Sequence, residues 1–166
     1  MMVSSAADVA GIAAYSSADV DPGLIAIIQA TEAGQPGPQL INILVGTWLV
    51  QGRPVSSQSY VDATRDSLFN SVWNTPDARR FRGSDAEKRE AVLDVIQPAV
   101  GVIEQSAIAP APVLHLVDVM VAASSGPSLH PPVFRVKASS VDAWWINDFE
   151  VKQPKGGGSI GVGFSF

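Results

Sequence analysis

The chain has no cysteine, which excludes disulfides, thiolate metal sites, iron–sulfur clusters and cysteine nucleophiles. Histidine is almost as scarce: His115 and His130 are the only two, too few for a centre built on three imidazoles within one chain. Charge is scarce as well, at 16 % of the 166 residues, where ordinary soluble domains carry about 25 %. The sign in short supply is positive. Lys and Arg number 11 against 16 Asp and Glu, and the resulting net charge of −5 disfavours a phosphate backbone as partner. No basic residue precedes Arg53, so the basic start of a secretory signal is missing. Long apolar runs are missing too: the best, Leu40 to Val50, is interrupted by Asn42, Gly46 and Thr47 and falls short of the roughly 18 to 20 residues a span requires. These absences predict a cytoplasmic protein with neither membrane nor nucleic acid as partner.

What is present is apolar bulk, 46 % of the chain. A chain of this length predicts one domain that buries about two thirds of its unfolded surface, so a core forms without staples. A hydrophobic surplus with so few charges predicts that another copy or a partner covers part of the exterior. A homo-oligomer is the simplest form of that cover.

Residues 1–20 are rich in Ala and Ser and read as a flexible or weakly helical segment. Residues 21–152 carry the α+β pattern, and 153–166 read as a glycine-rich linker with a C-terminal strand. Asp21 as N-cap, Pro22 at the first helical position and Gly34 as stop delimit a helix with Leu24, Ile25, Ile27 and Ile28. Two β-branched runs, Gln39 to Val45 and Thr47 to Val55, meet at Gly46 and predict a hairpin. Ser56 or Ser57 caps a helix through Val61, Thr64, Leu68 and Val72 that ends near Trp73. Ser84 with Glu87 has the spacing of a capping box and opens a helix with Val92, Ile96, Ala99, Val100 and Ile103 toward the core, kinked or restarted at Pro98. Strand-like stretches follow at Val113 to Ala122, Val133 to Ser139, Val141 to Val151 and Ser159 to Phe166.

Helix, hairpin, helices and then closely spaced strands define an α+β class, with helices set between parts of an antiparallel sheet. A helix followed by a small five-strand barrel is the Sm-like layout, which this order resembles, so the expected architecture is a small antiparallel β-barrel or sheet with N-terminal and inserted helices. A more specific set of residues runs from Ile43-Leu44-Val45-Gly46 with Val50 and Gly52, through Val55-Ser56 to Tyr60. It continues at Leu114-His115-Leu116-Val117-Asp118-Val119, Phe134-Arg135 and Ser139-Ser140-Val141-Asp142-Ala143-Trp144-Trp145. In order and spacing these resemble the gas vesicle accessory protein U family over roughly residues 39 to 146. Thr47 stands where that family tends to carry Gly, and Phe134 and Val136 flank Arg135 where it carries Trp-Arg-Gly. The resemblance implies a non-enzymatic accessory protein that associates with itself and influences how gas vesicles form or cluster, with the vesicle shell or another scaffold protein as partner. The alternatives are an unrelated assembly protein of phage or microcompartment type, and an Sm-like RNA-binding protein.

Three groups of residues are candidates for contact. Ile160, Val162, Phe164 and Phe166 alternate with Gly161, Gly163 and Ser165, so that one face of the last strand is apolar. Behind the flexible Lys155-Gly156-Gly157-Gly158, this strand either closes its own sheet or adds to the edge of a neighbour's. Trp144 and Trp145 are adjacent and in a strand point to opposite faces, so one enters the core and the other is free to anchor an interface. Arg79, Arg80 and Arg82 form the densest basic stretch, with Asp77, Asp85 and Glu87 beside them as intrachain partners. No serine has a recognisable base, Gly156-Gly157-Gly158 lacks the Lys-Ser or Lys-Thr of a phosphate loop, and His115 among apolar neighbours reads as a sheet residue. No catalytic, cofactor or metal set is predicted.

Overall fold

The computed structural model describes residues 20–107, 111–123 and 126–146, with every side chain in them except that of Arg79. Asp21 opens helix α1 (Pro22–Glu32) by accepting from the Gly23 and Leu24 amides at 2.7 and 3.2 Å, while the chain leaves it through Gly34 at φ +67°. Strands β1 (Ile41–Val45) and β2 (Trp48–Val55) follow as a hairpin. Its two-residue turn places Gly46 at φ +59°, a conformation that favours glycine. Ser56 caps α2 (Ser57–Trp73) by accepting from the Ser59 amide. The capping box at Ser84 is closed as expected: Glu87 Oε2 accepts from the Ser84 amide at 2.7 Å, and Ser84 Oγ accepts from the Glu87 amide at 3.3 Å. This starts α3 (Asp85–Ala107).

Strands β3 (Val113–Ala123), β4 (Val133–Lys137) and β5 (Ala143–Ile146) complete an antiparallel sheet in the order β4-β3-β2-β1-β5. The α+β class stands, but the barrel does not: among the described residues the sheet is open, and its edges β4 and β5 are separated by three strands. Closure is unnecessary because helices cover both faces. One face carries Ile41, Ile43, Val50, Leu114, Leu116, Val121 and Val136, all buried, with Leu24, Ile27 and Ile28 of α1 packed on them. On the other, Tyr60 of α2 stacks on His115 with ring centroids 4.7 Å apart, and Arg135 donates to Ser106 of α3. The two longer helices are tied to each other by Arg65, which bridges Asp62 and Glu104 at 3.0 and 2.9 Å, and by Phe69, which stacks on Trp73 beneath the Arg89 guanidinium.

Helix α3 runs through Pro98 without a restart, and residue 98 and Asp94, whose carbonyl loses its amide partner, are both on the solvent side. Three expectations are corrected. Ala99 lies on that exposed side as well, and only Val92, Ile96 and Val100 of α3 are buried, with Ile103 partly so. Strand β4 ends at Lys137, where Ala138–Ser140 form a 3-10 turn that buries Ala138. The strand sought over Val141 to Val151 starts only at Ala143, because Asp142 is used in a turn contact, and the described part ends at Ile146. No helix among the described residues is long and apolar enough to cross a membrane.

Candidate functional site

Strand β5 is held at its start by a side chain. The Asp142 carboxylate accepts from the Gly46 amide at 2.6 Å while the Asp142 amide donates to the Leu44 carbonyl at 2.8 Å, which ties the edge strand to the β1–β2 turn. The next residues alternate across the sheet as expected. Trp144, opposite Ile43, turns inward and lies on the first turn of α1, so close to Gly23 that a methyl there would stand 2.7 Å from its ring. Trp145, opposite Asn42, faces outward and is 43 % exposed. Beside it Asn42 is 2 % exposed; its carbonyl oxygen accepts from Gln51 at 2.9 Å, and its amide nitrogen is buried with no partner among the described residues. An exposed tryptophan on β5 and a buried donor without a partner on the neighbouring β1 therefore stand beside a strand edge that is unpaired among the described residues. The contact residues Ile160, Val162, Phe164 and Phe166 lie outside the described residues, as does the Arg79 side chain. Arg80 is almost fully exposed and pairs with Asp77 at 3.2 Å, and Arg82 is exposed. The basic stretch is thus a solvated surface segment in which Arg80 already has an acidic neighbour.

Two features escaped the sequence reading. The first is an apolar groove of about 660 Å³ on the α1 face at the hairpin-turn end of the sheet, lined by Val45, Trp48, Val121, Leu129 and Phe134. Trp48 is 45 % exposed and Leu129 56 % exposed there. Trp48 was visible as part of an apolar strand, but its exposure was not. The second is a junction at the start of β3. Glu32, at the end of α1, accepts from the amide and hydroxyl of Ser57 at 2.8 and 2.9 Å and so holds the start of α2. The same carboxylate lies 3.7 Å from Nδ1 of His115, which is 3 % exposed and whose ring nitrogens have no hydrogen-bond partner among the described residues. Desolvation pushes the His115 pKa below its ordinary value; Glu32 opposes the shift and the Arg135 guanidinium across the strand adds to it. Burial therefore favours the neutral form of the ring.

This junction forms one end of a cleft of about 680 Å³ between α1, the last turn of α3 and the start of β3. Elsewhere, Asp118 sits at φ +54° in a bulge opposite Gly52 and pairs with Arg53 at 3.0 Å, with both side chains well exposed. Among the described residues no three His, Asp or Glu gather in a set able to hold a metal. Compared with protein-family models, with curated proteins and with solved structures, the chain matches none of them.

Proposed function

We infer that the chain is a non-enzymatic, self-associating accessory protein of the gas vesicle type, working in the cytoplasm through contacts with its own copies and with a vesicle shell or comparable scaffold. The observation that carries this reading is the edge at β5, where, among the described residues, a strand paired on one side presents an exposed Trp145. An edge of this kind templates strand addition, in which backbone hydrogen bonds supply affinity and alternate side chains supply register. The segments that resemble the accessory family also lie together in space: the Gly46 turn meets Asp142, Ile43 lies opposite Trp144, and His115 lies between Val55 and Arg135. That these segments are neighbours within one sheet supports a common structural role rather than scattered likeness.

Light scattering after size exclusion tests the association, with an oligomer expected for the full chain and a shift toward monomer for Trp145→Lys. Co-sedimentation with purified gas vesicles tests the partner. Strict monomers, or retention of RNA at low salt in place of shells, would defeat the reading.

A further inference from the structure

We propose that the cleft between α1, the end of α3 and the start of β3 binds a small hydrophobic primary amine in its protonated form. Its walls are Ile25, Ile28, Ala107, Ala111, Pro112 and Val113, which suit a hydrocarbon or aromatic body. Its volume, about 680 Å³, is that of small-molecule sites. At the His115 end the polar groups are Glu32, His115 and Ser57, whose amide and hydroxyl are already given to Glu32. Glu32 is the only ionised side chain among the described lining residues, and its carboxylate is accessible, with 38 % of the side chain exposed. Behind it His115, without a hydrogen-bond partner among the described residues, presents the Nδ1 lone pair 3.7 Å from that carboxylate when its proton is on Nε2. Two acceptors 3.7 Å apart, one of them charged, call for a group with several donors and a positive charge. A carboxylate ligand would meet repulsion there, and an alcohol would leave the Glu32 charge uncompensated. Arg135 does not compete for the site because its guanidinium is committed to the Ser106 hydroxyl and carbonyl. Entry of the ammonium needs only a small displacement of the Glu32 carboxylate, whose bonds to Ser57 leave further lone pairs free. The site is independent of the β5 edge, so its failure would leave the self-association reading untouched.

Phenethylammonium is the probe, with 2-phenylethanol and 3-phenylpropanoate as matched neutral and anionic controls, titrated into the full chain while methyl and imidazole resonances are followed by NMR. Saturable binding of the ammonium is expected with a Kd in about the millimolar range, with shifts at Ala111, Val113 and His115. The two controls should bind at least about ten-fold more weakly. Glu32→Gln keeps an acceptor for Ser57 while removing the charge and should weaken the ammonium about ten-fold. Ala111→Phe, at an exposed position on the cleft wall, should abolish binding and decides the matter if the first variant does not fold. Absence of binding, equal binding of 3-phenylpropanoate, an unchanged affinity in a folded Glu32→Gln, or shifts confined to Trp48 and Phe134 would overturn the proposal.

Discussion

Gly52 sits in β2, the middle strand of the sheet, opposite the bulge in β3, and its replacement by Ala gives a worked test of how tightly this core is built. A methyl on Gly52 would stand 3.1 Å from Leu116 Cβ, 3.2 Å from the Val117 carbonyl oxygen and 3.3 Å from Val119 Cγ2. Leu116 and Val119 are both buried, so none of the three neighbours is a flexible tip free to move into solvent. Each must yield a few tenths of an ångström at once. Overpacking of this kind costs about 1–3 kcal/mol, and the loss of unfolded-chain freedom from Gly to Ala returns about 0.4–1 kcal/mol. The net expectation is destabilisation by about 1–2 kcal/mol. At this chain length that lowers Tm by about 2–8 °C. Gly101, inside α3 with nothing near its missing Cβ, supplies the control: Gly101→Ala should stabilise by about 0.5–1 kcal/mol through helix propensity alone. Urea unfolding followed by tryptophan fluorescence measures both. Equal stability of Gly52→Ala and the parent, with Gly101→Ala stabilised as expected, would refute the close approach of β2 to the bulge.

Trp144→Ala should cost about 3–5 kcal/mol at most, since the ring packs on the core and on Gly23. Trp145→Ala should cost under about 1 kcal/mol in the same unfolding assay. Asp142→Ala removes the acceptor of the Gly46 amide and should destabilise by about 1–2 kcal/mol, with hydrogen exchange rising first at Gly46. His115 gives a pH dependence of defined sign. Its folded pKa lies below the unfolded value of about 6.5, so the unfolded chain binds more protons as the medium acidifies, and stability present above that value is lost as pH falls toward the folded pKa. The urea midpoint of the parent should fall between pH 7.5 and 5.5 and that of His115→Phe should fall less; parallel profiles would remove His115 as the cause.

Local signals with a single geometric solution were legible in the sequence. Asp21-Pro22, Ser56 and the Ser84–Glu87 box act through backbone donors one turn away, so their spacing alone placed three helix starts. Gly46 placed the hairpin for the same reason. Long-range geometry was less legible. Whether five strands close or stay open depends on which strand lies at which edge, and the order β4-β3-β2-β1-β5 involves contacts that no local pattern encodes. Whether a helix continues through Pro98 depends on whether the freed carbonyl faces solvent, which is a property of the helix's position. The bulge in β3 had a signal that went unread. Apolar side chains facing α1 fall at even positions through Leu114 and Leu116 and at odd positions through Val119 and Val121, and Asp118 marks the change of phase. The Glu32–Ser57–His115 junction joins three distant stretches of chain and had no sequence signal beyond the types of residue present.

The exposed apolar side chains do not form one surface. Trp48 and Leu129 flank the groove on the α1 face, Trp145 lies at the β5 edge on the opposite face, and Val95 and Val102 project from α3. Isolated exposed residues are ordinary and carry no inference, so the case for association at β5 rests on the edge rather than on the amount of exposed hydrocarbon. Edge addition and side-chain packing make different demands on the same residue. Where backbone hydrogen bonds carry the contact, Trp145→Ala should weaken association by only about ten-fold while Trp145→Lys, by placing a charge on the edge, should abolish it. Where a buried tryptophan carries it, both substitutions should abolish it alike, because an anchor of this kind is worth about 2 kcal/mol or more on its own. Sedimentation across a concentration series separates the two, and association unchanged in both variants would move the interface away from β5 altogether.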